Sequence, residues 1–414
     1  MRMKFNKSGQ LLLVSAASLL LATFVTACET LTVDFVYVTS SKAAGANNYG
    51  EVDVFEVNSE SGFMRQIPTS PFPSGGRNPV AEAVSADNSN LYVVNHDDNT
   101  IVQFVIGSDG KIYPQNTVNT PGIFPIAATA SGTNLFVLDT YTPVPGCSAA
   151  APCSGSVGVF PITVGTGSPP SDTLGSPIAN GSLNYWALTL PGKPNDIIVP
   201  TGMSALASGA DLFISAYDSS VTPNRGYVFA FAVGSGGVLS PLNGGVPFAA
   251  GINPSAIASD SSSTYVYVTD ASSGNILGFS VKAGLLTALS GSPFPAGNQP
   301  SAIAIDPSYP YAYVTNELDS SVTAYSMSSG VLTRIGTYAT GLQPVALGID
   351  PSTNHFLYTL NYLGSGVNGT VSGFELSTTA GTLLNSQSSP YTSQALPTAV
   401  AAIPHNGTGA GIKK

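Results

Sequence analysis

SAIASDSSSTYVYVTDASSGNILGFSVKAGLLTALSGSPFP, residues 255–295, holds one complete structural unit of this chain. It opens on a small-residue string, SAIASDS, and passes to an aromatic-led string, VYVTDA. A Gly-led string ending in an aromatic, GNILGF, follows, then a second Gly-led string, GLLTAL, and the Pro-rich SPFP. Each string has strand length and β-type composition, and turn formers punctuate the joins. One unit therefore reads as four antiparallel strands.

The unit recurs. The aromatic string returns as VYVTSS (36–41), LYVVNH (91–96), LFVLDT (135–140), LFISAY (212–217), AYVTNE (312–317) and LYTLNY (357–362). The seven aromatic positions are spaced 55, 44, 77, 54, 46 and 45 residues apart, a period typical of propellers, in which each repeat is one small sheet. Both faces of the third string carry apolar residues, as a sheet sandwiched between neighbours requires. The Ala and Ser of the first string, as in EAVSADN (82–88) and SAIAIDP (301–307), suit the crowded strand nearest the axis. The chain begins with the second type of string and finishes with an inner one, TAVAAIP (398–404). That last strand has no later partners, so it is expected to complete the first blade and remove the open edge. The expected fold class is all-β: a seven-bladed β-propeller of four-stranded antiparallel blades over 35–404, closed by pairing of the C-terminal inner strand with the N-terminal strands. The largest insertion, 163–203, contains the only tryptophan, Trp186.

The first residues read as an export signal. Arg2, Lys4 and Lys7 precede the apolar run 11–25, which is too short for a comfortable membrane span. Val25-Thr26-Ala27-Cys28 resembles a bacterial lipobox, so residues 1–27 are expected to be a lipoprotein signal peptide and Cys28 the lipidated first residue. Residues 28–34 then form a lipid-anchored segment and 405–414 a tail. The expected address is the cell envelope, at the outer membrane or periplasmic side, with the membrane a partner through Cys28. Removing 1–27 takes the formal charge from −10 to −13, because three cations and no acids leave. Such a surface disfavours nucleic acid. Cys147 and Cys153 remain in an exported chain, where a loop disulfide is expected, stabilising by about 2 kcal/mol. Nothing marks an oligomer, and a monomer is expected.

The strings VYVTD, GNILGF and SPFPAGNQPSAIAIDP (266–307), with AYVTNE and SSVTAY, resemble the YVTN/lactonase family of seven-bladed propellers. The resemblance covers essentially all of 35–404 and implies a 6-phosphogluconolactonase-like fold, with lactone hydrolysis as the activity of catalytic members. Those members imply His-Pro-His-type turns before inner strands. Here the turns read Asn78-Pro79, Phe124-Pro125, Asn253-Pro254, Gln299-Pro300, Gln343-Pro344 and Leu396-Pro397.

In this strand order, the second-to-third loops and the loops entering each inner strand share one face. The fifth residue of the aromatic string forms a ring of Ser40, Asn95, Asp139, Ala216, Asp270, Asn316 and Asn361, expected to bond nearby turn backbone. Departures from the repeat mark candidate sites. Glu82 is read as the only ionisable residue in a ring with Ile126, Ser204, Ser255, Ser301, Val345 and Thr398, and is expected to pair with Arg77. With His96 and Arg225, these residues offer water activation and oxyanion stabilisation for ester hydrolysis. Asp97, Tyr217, Glu317 and Tyr362 are the candidate ligand-binding residues on that face. The acids assigned there, including Asp97, Asp98, Asp139, Asp218, Asp270, Glu317 and Asp319, outnumber its cations. The leading expectation is a non-enzymatic module for a glycan, peptide or protein partner; the alternative is a lactonase-like hydrolase. No cofactor is expected, with Ca²⁺ on the acidic loops the one candidate, and no metal-ligand cluster is visible.

Overall fold

Seven sheets surround one axis in a computed structural model that describes residues 32–44, 47–165, 172–350, 355–364, 368–393 and 396–405. The expected signal peptide (1–27), Cys28 and nearly all of the expected tail lie outside the described residues. The first blade runs, from rim to axis, Met64–Gln66, Tyr49–Asn58, Thr32–Ala44 and Pro397–Pro404. Its innermost strand is the last of the chain, paired antiparallel with the first from Asp34↔Pro404 to Ser40↔Pro397. Closure therefore joins the two ends of the sequence, as the phase of the repeat requires.

Blades two to seven are each continuous in sequence. Blade two is Pro79–Val84, Asn90–Asn95, Thr100–Ile106 and Ile112–Asn119, from axis to rim. Among the described residues only strands and two short 3₁₀ turns occur. The aromatic string is the second strand of every blade, and its aromatic residue is fully buried throughout: Tyr37, Tyr92, Phe136, Phe213, Tyr267, Tyr313 and Tyr358. Three of the Tyr hydroxyls, those of Tyr37, Tyr267 and Tyr313, stitch blades together. Tyr37 donates to the Gly110 carbonyl of blade two at 3.0 Å, and Tyr267 to the Gly330 carbonyl of blade six at 2.8 Å. The seven apolar clusters lie between adjacent blades, so packing energy is spread around the ring.

Two details differ from the sequence expectation. The SPFP segment, read as lying outside the four strands, is itself paired. Phe72-Pro73 and Phe294-Pro295 pair with the third strand of their own blade, extending the position of the fourth strand. The inner strands also begin earlier than the small-residue strings suggest. Each carries a proline paired with the fifth position of the aromatic string, as in Pro79↔Asn95, Pro254↔Asp270 and Pro397↔Ser40, and the register breaks at the next residue in all seven. Proline donates no N–H, so it fits the start of a strand beside a bulge.

That register corrects the ring assigned to Glu82. Measured from the proline, the bulge residues are Val80, Ile126, Thr201, Ser255, Ser301, Val345 and Thr398. Glu82 lies two residues further on, opposite Val93, where the other blades carry Ala128, Met203, Ile257, Ile303, Leu347 and Val400. The other alignment set Asp87 of EAVSADN level with Asp260 of SAIASDS; counted from the proline, Asp87 falls two residues later than Asp260. Glu82 is thus a lone carboxyl in an apolar ring.

Candidate functional site

The loop-bearing face is organised by the fifth residue of each aromatic string. Asp270 accepts from the backbone N–H groups of Ile252, Asn253 and Ser272 at 2.8, 3.0 and 3.1 Å. Asn316 accepts from Gly297 N–H at 2.9 Å and donates to Thr323 and Ser321 at 3.0 and 3.1 Å. All seven members of the ring are buried. Asp139, Asp270 and Asn316 fasten the loop entering the inner strand of their own blade, and glycine is needed where that loop crosses them. At Gly251, with φ +80°, an added Cβ would collide with the Asp270 carboxylate. Asp139, Asp218 and Asp270 are therefore interior groups, and the face is less acidic than the sequence suggested.

One constellation stands exposed above blades two and three. His96 Nδ1 lies 2.6 Å from Asp97 Oδ1, and Asn78 Nδ2 donates to the same oxygen at 3.0 Å. The imidazole stacks on the Phe124 ring, with centroids 4.6 Å apart and planes 5° from parallel. Phe124 holds φ +58°, an uncommon conformation for a bulky side chain, secured by its N–H on Asn99 Oδ1 and the Thr140 hydroxyl on its carbonyl, both at 2.7 Å. Tyr141 packs edge-on against Phe124. Burial alone would raise the Asp97 pKa, but hydrogen bonds from Asn78 and His96 and the charges of His96 and Arg77 lower it on balance, so the carboxylate stays ionised.

The other candidate residues are dispersed. Arg77 does not meet Glu82. Its guanidinium pairs with Asp98, Nε to Oδ1 at 2.6 Å, and its backbone N–H donates to Oδ2 at 2.7 Å. Glu82 Oε2 accepts from the Thr39 hydroxyl of blade one, whereas His96 stacks on blade three, so the two point to different interfaces. Burial raises the Glu82 pKa well above its ordinary value, opposed by hydrogen bonds from Thr39 and the Ala401 backbone. Arg225 is exposed on blade four, opposite Asp218. Tyr217 and Tyr362 are half-buried at the loop ends of blades four and seven. Glu317 accepts from Gln299 Nε2 at 2.8 Å on blade six. Cys147 and Cys153 are joined, Cα atoms 5.5 Å apart, in the long second-to-third loop of blade three. Among the described residues no three His, Cys, Asp or Glu side chains are grouped to hold a metal ion.

Glu82 yields a stability prediction. A folded-state pKa above the unfolded one means its contribution is complete below the ordinary value of 4.5 and is lost as pH rises. Glu82→Met reproduces the Met203 of blade four. It is expected to raise the melting temperature, with an advantage that grows from pH 4.5 to pH 8. A variant that melts lower than the parent throughout would show the carboxyl to be a favourable partner of Thr39.

A cleft the sequence did not reveal lies between blades five and six on this face. It has a volume of about 360 Å³ and includes Asn298, Asn316, Asp319, Thr323, Arg334 and Thr337 in its lining. Arg334 donates to the Thr337 hydroxyl at 2.6 Å, and Asp319 accepts from Asn298 N and Nδ2, both at 2.7 Å. The one available signal was an arginine in GVLTRI, where GVLSPL and GLLTAL carry none.

Fold and strand order define a class: a seven-bladed β-propeller closed by its own last strand. The family model described as "Lactonase, 7-bladed beta-propeller" matches residues 253–343, which contain blades five and six. Among solved structures, a Bacteroides fragilis protein described as a candidate 6-phosphogluconolactonase superposes with TM-score 0.69 at 18% identity, covering 91% of this chain and 99% of the other. The periplasmic gluconolactonase of Pseudomonas aeruginosa gives 0.68 at 17% identity, covering 90% and 99%. At such identities the likeness is one of fold. No curated protein sequence matches significantly.

Proposed function

We propose that this chain is a lactonase-like hydrolase of the cell envelope, acting on uncharged sugar-type lactones at its loop-bearing face. Residues 1–27 would carry it across the inner membrane, and a lipid on Cys28 would hold it to the cell envelope, at the outer membrane or periplasmic side. The observation that carries the chemistry is the His96–Asp97 pair. With Nδ1–H directed at Asp97, Nε2 is free to take a proton from water as the water oxygen bonds to the lactone carbonyl carbon. Collapse of the tetrahedral adduct breaks the ring C–O bond, and the same proton passes to the departing alkoxide. Asp97 orients the ring and stabilises the imidazolium, and Phe124 fixes its plane. Arg77, paired with Asp98, holds the adjoining loop against His96 and Asp97. Asp97, Glu317 and Asp319 on the open surface disfavour a phosphorylated substrate and favour a neutral one.

Mature protein is expected to hydrolyse neutral aldonolactones faster than their 6-phosphates. His96→Gln should lower kcat/KM by about 100-fold or more, while Arg225→Ala and Glu82→Gln leave it unchanged. Full turnover in His96→Gln would remove this face from the chemistry. A second reading, a non-enzymatic glycan-binding module, is favoured by the cleft of blades five and six. Its size suits a sugar, and its carboxylate is already engaged by Asn298. Absence of turnover, with glycan binding abolished by Arg334→Ala, would establish that reading instead.

A further inference from the structure

The end of the propeller opposite the loop-bearing face carries a ring of exposed apolar side chains. In four blades the residue opening the fourth strand is large, apolar and exposed: Phe63, Val238, Leu285 and Val331, at 37, 47, 45 and 38%. Each immediately precedes a buried side chain paired with the third strand, as in Phe63 before Met64↔Val57 and Leu285 before Leu286↔Val281. Two further blades place the exposed residue just past the equivalent buried one. These are Tyr113 after Ile112, at 46%, and Leu384 after Leu383, at 66%. Six blades of seven thus show one such group at the same end, which an aqueous surface does not require.

The first described residue leaves from that end. Thr32 starts the second strand of blade one opposite Asn58, and a small cleft is lined by Thr32, Glu56, Phe63 and Arg65 among others. Cys28 stands four residues before Thr32, a reach of at most about 14 Å. The loop-bearing face begins near Ser40, eight residues along an extended strand, or about 27 Å away. That face has exposed apolar residues of its own: Leu318 at 65%, Val144 at 49%, Ile252 at 37%, and the cross-strand pair Leu342 and Leu363 at 54 and 39%. Tether length decides between the two surfaces. A lipid on Cys28 cannot bring the far face to the bilayer that holds it without tipping the whole molecule over.

We infer that the rim bearing Phe63, Tyr113, Val238, Leu285, Val331 and Leu384 rests on a lipid surface, so that the loop-bearing face is presented to the aqueous compartment. The inference rests on the reading of Cys28 as the anchor. Contact is apolar rather than electrostatic, since the Arg65–Glu56 and Lys111–Asp109 pairs at this rim already neutralise each other. Binding is therefore expected to be insensitive to salt and to need no anionic lipid.

The test begins with mass spectrometry of the membrane-borne chain, which reports whether Cys28 carries a diacylglyceryl group and so judges the anchor separately. Lipidated protein is then placed in phosphatidylcholine vesicles with a nitroxide on Leu285→Cys or on Leu318→Cys. A label at 285 should be shielded from aqueous relaxant and open to oxygen, and a label at 318 should remain fully water-accessible. The reverse pattern, or two water-accessible labels, overturns the inference. If Cys28 proves unmodified, the unlipidated chain from residue 29 is sedimented with the same vesicles. Retention that falls about tenfold or more in Leu285→Asp/Leu384→Asp but not in Leu318→Asp/Leu363→Asp supports the apolar rim. No retention, or equal loss in both pairs, overturns it.

Discussion

A chain ending at Ala395 is expected to lose cooperative folding, while one ending at His405 melts like the parent. The longer chain keeps every pair of the closing ladder, from Asp34↔Pro404 to Ser40↔Pro397. The shorter one leaves Thr32–Ala44 as an open edge. It also strips Val400 and Ala402 from the cluster between blades seven and one, and Ala401 and Ile403 from the cluster between blades one and two. Each large aliphatic side chain withdrawn from such a cluster costs about 1.5–3 kcal/mol, and unpaired buried backbone adds more. The total is comparable with the whole stability of a typical domain, about 5–15 kcal/mol. Differential scanning calorimetry reads the outcome. A single sharp transition within a few degrees of the parent in the shorter chain would mean that the blades hold together without closure.

Asp139→Asn should stabilise the protein, and the gain should grow as the solution becomes alkaline. Burial raises the Asp139 pKa to about 8 from the ordinary 3.8, against the lowering effect of the Gly122 N–H and the Thr120 hydroxyl. Below the unfolded value the carboxyl is neutral in both states and its contribution is intact. As pH rises toward 8 the unfolded chain releases this proton and the folded one does not, so stability falls. Above 8 the full difference has been lost, on the order of 5 kcal/mol and an upper bound because local opening admits water. Asparagine carries no such charge, and the fold already accommodates it at Asn95, Asn316 and Asn361. There the amide also donates to a hydroxyl of the third strand, for example Asn316 Nδ2 to Ser321 at 3.1 Å. In blade three the equivalent Ser156 hydroxyl and Asp139 Oδ1 both lack a partner among the described residues. Asparagine supplies the missing donor. Melting temperatures at pH 5, 7 and 9 should diverge steadily between the two proteins, and parallel curves would place the Asp139 proton elsewhere.

The sequence was most legible where a constraint repeats. The buried aromatic of the second strand, the aromatic of the third and the small residues of the first recur in each blade because every blade meets two neighbours in the same way. The fifth position was legible too, since the Asp270 and Asn316 contacts are made within their own blade. Glu82 was misplaced for a physical reason: the aspartate of the turn after the inner strand can slide by two residues. The bulge after the inner-strand proline cannot slide, because the missing N–H fixes it. The cleft at Arg334 was not legible, as its walls come from two blades and its arginine occupies an exposed position where any polar residue fits.

By itself the sequence determined the number of blades, the order of strands within each and the closure of the ring by its own last strand. These follow from periodicity and from which strand type stands at each end of the chain. Tertiary structure alone decided which side chains meet across blades: His96 with Phe124, Glu82 with Thr39, Arg77 with Asp98 rather than Glu82. Hydrogen-bond register and strand alternation set a side chain's direction, and contacts between blades join residues whose spacing in the chain carries no record of their proximity.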